Sequence, residues 1–262
     1  MTNPQQRLRL WGAAGALLGV LVALVVFAPA SWLAQGLASV TEGRLLITDT
    51  RGSIWNGSGV LVLTGGTSSH DAASLPGRLN WTMGPRGFGG MVLKASQDCC
   101  INSELQLLIK PGLISVDNRA DWLLRWPAGV LAGLGTPWNT LQLGGSLRVQ
   151  TRDFRLERKG SQWLPAGQLD LDLVNLSSRV STVAPLGTYR LNVIAEPAGQ
   201  GTLRLSTLGG PLLLSGQGSF GAGSKPRFQG EASSAPGREA ALDNLLNIIG
   251  RRQGARSVIS IG

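Results

Sequence analysis

The sequence predicts a mainly β protein: a single N-terminal transmembrane helix, then an antiparallel sheet, curled or folded on itself, with a C-terminal helix. Three observations predict it. The 262 residues are 43% hydrophobic, 15% charged and 5% aromatic, with 37 Gly and 13 Pro, a balance that suits short strands and tight turns better than a helical bundle. Apolar residues alternate with polar or small ones along most of the chain, which is the period of strands wet on one face. One long uncharged run near the N-terminus is the exception. The same composition excludes a disordered chain, which needs low hydrophobicity and high charge.

The elements follow in order. Residues 1–9 form a polar tail carrying Arg7 and Arg9. Leu10 to Ala34 is a run of 25 residues without a charge, about 37 Å long as a helix against about 30 Å of bilayer hydrocarbon. Trp11 and Trp32 stand about 31 Å apart on that helix, where the two interfacial belts lie. Arg7, Arg9, Trp11 and Trp32 are therefore the expected membrane-interface anchors. The positive-inside rule keeps the N-terminus in the cytoplasm and exports residues 35–262. A cleavable signal peptide is the alternative, with Ala28-Pro29-Ala30 as its site. The apolar run continues past that site, which favours a permanent anchor over 10–34.

Residues 35–262 read as one β-rich domain. Leu169, Leu171 and Leu173 alternate with Gln168, Asp170 and Asp172, giving one apolar and one solvated face. A loose repeat begins with Gly59, Gly77, Gly145, Gly167 and Gly201, each read as a turn before a strand. Pro127 to Leu134 reads as a short helix or turn. Pro236 to Ile249 is the C-terminal helix, with Leu242, Leu245, Leu246 and Ile249 on one side and Gly250 as its cap. Core packing is the ordinary role of that stripe, and docking of a partner is the alternative. Arg256 to Ile261 closes the chain as a strand.

Little in the sequence carries chemistry, and it predicts no catalytic, metal or cofactor site. The single His, His70, lies in a loop; Ser69-His70-Asp71 are consecutive, and triad members must instead converge on one point. Gly216 to Gly221 matches G-x-G-x-x-G but lacks the helix that a dinucleotide site requires. Asp170 and Asp172 read as solvated surface. Cys99 and Cys100 are adjacent, which argues against an unstrained bridge between them; on a strand their thiols face opposite sides. The net charge is +9, with most Arg scattered over strand faces and one cluster at Arg251, Arg252 and Arg256. No nucleic-acid-binding pattern accompanies it.

Several strings carry a resemblance. Arg51-Gly52-Ser53-Ile54-Trp55-Asn56-Gly57 resembles the Gly-Trp segment of the type II secretion system protein N family, through Gly52, Trp55 and Gly57. Gly77 and Trp81, in Gly77-Arg78-Leu79-Asn80-Trp81, resemble the strand that follows it there. Gly230, Pro236, Gly237, Leu245, Leu246, Gly250, Arg251 and Arg252 are similar to its C-terminal signature. The resemblance implies a bitopic inner-membrane protein of Gram-negative bacteria with a periplasmic bulk and no catalytic activity. It implies an accessory subunit of the machinery that exports folded proteins across the outer membrane. Its partners would be other subunits, among inner-membrane components and the secretin, with strand addition at exposed sheet edges as a docking mode. Similar Gly-Trp segments occur in AsmA-like proteins, whose curled sheets bind lipid. A lipid-binding or lipid-transfer groove is accordingly the alternative function.

Overall fold

The computed structural model describes residues 4–87, 89–117, 122–221 and 224–262, with residues 4–10 and 224 through their backbone only. Two helices open the chain, α1 (Pro4–Val26) and α2 (Ala30–Val40). Strands β1 (Leu45–Gly52), β2 (Asn56–Thr64), β3 (Ala72–Ser74), β4 (Leu79–Pro85), β5 (Met91–Ser96), β6 (Leu105–Lys110), β7 (Leu113–Asp117) and β8 (Leu124–Pro127) follow. A 3-10 helix (Ala128–Leu134) and the short α3 (Trp138–Leu141) lead to two long strands, β9 (Leu143–Lys159) and β10 (Gln162–Ser178). Then come β11 (Gly187–Ala195), β12 (Gly201–Gly209), β13 (Leu212–Gly221) and β14 (Ser224–Ser234). The helix α4 (Glu239–Ile249) and strands β15 (Arg251–Gln253) and β16 (Arg256–Ile261) complete it.

All the named strands belong to one antiparallel sheet, ordered β1-β2-β4-β5-β6-β7-β9-β10-β11-β12-β13-β14-β16-β15, with β3 on β2 and β8 on β9. The sheet is open and not curled, which corrects the expected closure on itself. The reason lies in its apolar face, which is buried by helices instead of by the sheet. At the N-terminal end Ala30 of α2 and Val130 of the 3-10 helix pack on Ile47, Leu61, Leu63 and Trp81. At the other end Leu242, Leu245 and Leu246 of α4 pack over Leu176, Tyr189, Leu212 and Ala232. Those three leucines are at most 2% exposed, and their burial stabilises the fold by about 5–9 kcal/mol. The 3-10 helix joins the two cores, because its Ala128 belongs to one and its Val130 to the other.

The single spanning helix expected over 10–34 is not found. Pro29 has no N–H and interrupts the helix, so α1 ends at Val26 and α2 starts at Ala30. Among the described residues no helix is long and apolar enough to cross a membrane.

Other expectations fare unevenly. The 3-10 helix and β16 fall where the sequence places them, while α4 begins at Glu239, three residues later than expected. Gly250 does follow α4, but in an extended conformation (φ −168°). A Cβ there would meet the Val258 carbonyl at 2.6 Å, so the close strand and not a left-handed cap selects glycine. Gly145 and Gly167 are not turns before strands. They lie inside β9 and β10 at positive φ, where the β9–β10 register shifts at two bulges.

Cys99 and Cys100 are bonded to each other, against expectation. They sit in the turn between β5 and β6 and not on a strand, so the side chains do not point to opposite faces. Cys100 is buried and Cys99 exposed.

Both ends of the sheet are irregular. β1 carries a bulge between Thr48 and Arg51, with Asp49 at φ 46°. β15 is three residues long and includes Arg251 and Arg252.

Tyr189 is fully buried, and its hydroxyl donates to one of the Leu186 and Leu212 carbonyls, each 2.9 Å away. Tyr189→Phe should therefore cost about 1–2 kcal/mol, read from the denaturant midpoint. Burial pushes the phenol pKa well above its usual 10. Because the folded value is the higher one, this contribution is complete below the usual phenol range and is lost as pH climbs beyond it. Tyr189→Phe should accordingly flatten the alkaline decline in stability.

Candidate functional site

The Gly-Trp segment between β1 and β2 is a tight turn held by its own serine. Gly52 has φ 84°, a left-handed conformation that glycine adopts without steric cost. The Ser53 hydroxyl then accepts the N–H groups of Trp55 and Asn56, at 3.2 and 3.1 Å. The Ser53 N–H donates to the Asn56 carbonyl at 2.9 Å. This places Ile54 and Trp55 at the tip, facing the break between α1 and α2.

At that break the turn replaces what proline removes. In an α-helix the Val25 carbonyl would accept from the N–H four residues later, and that residue is Pro29, which has none. The Trp55 indole N–H donates to the Val25 carbonyl instead, at 2.8 Å. The Ile54 N–H donates to the Ala28 carbonyl at 3.0 Å, and Pro29 bridges Ser53. Ala28 and Ala30 are each 2% exposed. The end of α1 and the segment after it are thus tied to the sheet through the Val25 and Ala28 carbonyls, the first of which also accepts the Ala28 N–H at 3.4 Å.

The second string supports the first from below. Trp81 is 2% exposed and its indole donates to the Ser53 carbonyl at 3.3 Å. Its ring covers Gly57, where a Cβ would lie 2.6 Å from Cζ2. Gly52 and Gly57 are paired in register, and Gly77 turns the chain into β4 at φ 77°. Arg78 was expected on a solvated face, yet it donates to the Asp49 carboxylate, to the Asp49 carbonyl at 2.6 Å and to Ser58. That hydrogen bond holds the Asp49 carboxyl below its ordinary pKa, against a smaller desolvation effect. Asp49 and Pro29 belong to this candidate site, and sequence reading gave neither of them that place. The available signal was Pro29 standing four residues after a helical carbonyl.

The C-terminal string lies elsewhere. Gly230 sits in β14, across the sheet from β1 and β2, where a Cβ would meet the Phe228 ring at 2.9 Å. Pro236 and Gly237 make the entry to α4, with the Gly237 N–H donating to Glu239 at 3.1 Å. Leu245 and Leu246 are core. The Arg cluster is dispersed: Arg252 pairs with Asp243, Arg256 pairs with Glu231 at 3.2 Å, and Arg251 is exposed. The structure therefore brings Gly52, Trp55, Gly57, Gly77 and Trp81 together, but not with the second set.

The anchor residues divide as well. Trp11 is 77% and Trp32 51% exposed. The backbones of Arg7 and Arg9 lie in α1, and their side chains fall outside the described residues. Ser69 and Asp71 do not form a triad with His70: the Ser69 hydroxyl accepts the Asp71 N–H, and Asp71 accepts from Asn139 at 3.2 Å.

A family model for type II secretion system protein N matches residues 43–259. The chain belongs to that family. The match begins just after α2 and takes in the Gly-Trp turn, Trp81 and the C-terminal signature. No curated protein and no solved structure matches the chain. Membership in the protein N family implies a role in type II secretion, and the family is a structural secretion component not known as enzymatic.

Trp55→Phe keeps the ring of this protein N chain and removes the indole donor. It should cost about 1 kcal/mol in unfolding experiments. It should also speed proteolysis at residues 27–29, since the helix end loses its tie. Trp81→Phe should leave the rate of that cleavage closer to wild type.

Proposed function

We propose that this protein is an accessory inner-membrane subunit of the type II secretion machinery. Its N-terminal helices hold it at the membrane, and residues 35–262 stand in the periplasm. It acts through contacts with other secretion subunits, supporting export of folded proteins across the outer membrane.

The observation that carries this reading is the tie between α1 and the Gly-Trp turn. A helix whose exit is bonded to a sheet by Trp55 and Ile54 fixes the sheet's position relative to whatever holds the helix. The surface of α1 points to what holds it. Leu17, Leu18, Val20, Leu21, Val22, Leu24, Val25 and Val26 are all at least half exposed, and they surround the helix. A helix apolar on all sides requires an apolar environment. The uncharged part of α1, from Leu10 to Val26, is about 25 Å long. Phe27 and Trp32, 79% and 51% exposed, flank Pro29 at the level of an interface.

Deleting the gene should leave secreted proteins trapped in the periplasm, and the full chain should restore export. A version in which a cleaved signal peptide replaces residues 1–26 should fail to restore it. The native protein should stay with membranes through carbonate extraction. Recovery of the intact domain in an osmotic-shock fraction would sink the anchor, and unimpaired secretion in the deletion strain would sink the role.

A further inference from the structure

On the polar face of the sheet Asp170, Asp172 and Glu231 are already committed. Asp170 and Asp172 were expected to be solvated, but they are 4% and 5% exposed. They lie on the wet side as predicted, covered by longer side chains from neighbouring strands. Arg190 grips Asp172 with two bonds of 2.7 and 2.8 Å. Asn192 donates to Asp170 at 2.5 Å, and Arg152 stands 4.0 Å away. Glu231, further along the face, pairs with Arg256.

Next to them the face sinks into an open trough of about 670 Å³ across β11 to β14. One row runs Asn192, Arg204, Gln217, Gln229 in direct register from strand to strand. The adjacent row ends with Ser219 opposite Arg227. Arg204 and Arg227 are exposed, and neither has a carboxylate partner among the described residues. The trough therefore presents two guanidinium groups without a carboxylate partner among the described residues and a line of side-chain amides, while Asp170, Asp172 and Glu231 are occupied.

We propose that this trough binds an extended acidic segment of a partner protein. Guanidinium forks match carboxylates. The amides of Gln217 and Gln229 offer both donors and acceptors, which suits a peptide backbone, whereas a phosphate uses donors alone. The row of amides thus favours another protein over lipid headgroups, an inference that rests on the docking-subunit reading above.

The test uses the full chain in detergent and a fluorescein-labelled flexible peptide of about twelve residues, alternating Glu with Ser. A matched peptide carries Gln in place of Glu. Anisotropy should show binding of the acidic peptide alone, weakening as salt rises. Arg204→Gln with Arg227→Gln should reduce affinity about tenfold. Arg238→Gln with Arg251→Gln, exposed cations outside the trough, should leave it unchanged. Gln217→Glu with Gln229→Glu keeps both arginines and should abolish binding, which covers the case of a poorly folding arginine variant.

Equal binding of the two peptides would overturn the proposal. So would equal losses in the two arginine pairs, which would mean net charge and no site. Phosphatidylglycerol vesicles bound through Arg204 and Arg227, with no peptide binding, would overturn it in favour of a membrane. Secretion assays separate this from the role itself. Peptide binding with intact secretion in the deletion strain would refute the role and leave the trough, and defective secretion without peptide binding would do the reverse.

Discussion

An open sheet with one apolar face must keep that face from water along its whole width, and the helices of this protein are placed where that requirement puts them. Closing the sheet into a barrel would satisfy it from within. Here α2 covers the first strands, α4 covers the last, and the 3-10 helix links the two cores over β2 and β9, with Trp126 packed against both. Losing either cover would expose a continuous strip of Leu and Val, so the sheet and its helices stand or fall together.

The N-terminal cover has a second task. Its junction with α1 contains a proline that removes the Val25 carbonyl's ordinary helical donor, leaving a long bond from the Ala28 N–H at 3.4 Å. Trp55 adds a shorter bond of 2.8 Å from across the fold. The same contact sets where the sheet sits relative to α1. A proline that would ordinarily make a flexible corner is thereby made into a fixed one, with Ser53 and Trp81 holding the turn that supplies the donor.

Much of this was legible in the sequence where the relevant forces are local. The two-residue period located β10, the repeat at Gly201 located β12, and the Pro and Gly signals located the 3-10 helix. The apolar stripe located α4. The misreadings come from non-local causes. Gly145 and Gly167 look like turn residues because bulges and turns select the same backbone freedom. Asp170 and Asp172 look solvated because alternation reveals the face of a strand, not the Arg190 and Asn192 side chains that neighbouring strands lay over it. Gly52, Trp55 and Gly57 were recognisable as a string, but Val25, the group Trp55 serves, lies thirty residues earlier. Whether the sheet closes was undecidable from strand pattern, since it depends on how its helices dock.

The two irregular ends of the sheet bear on how many copies work together. An unprotected strand at either end would recruit the next molecule, and growth would continue as a fibre. The bulge at Asp49, with its ionic tie to Arg78, and the brevity of β15, which carries Arg251 and Arg252, oppose such stacking. Stoichiometry in an assembly would then be dictated by the surrounding scaffold, with each copy occupying its own berth.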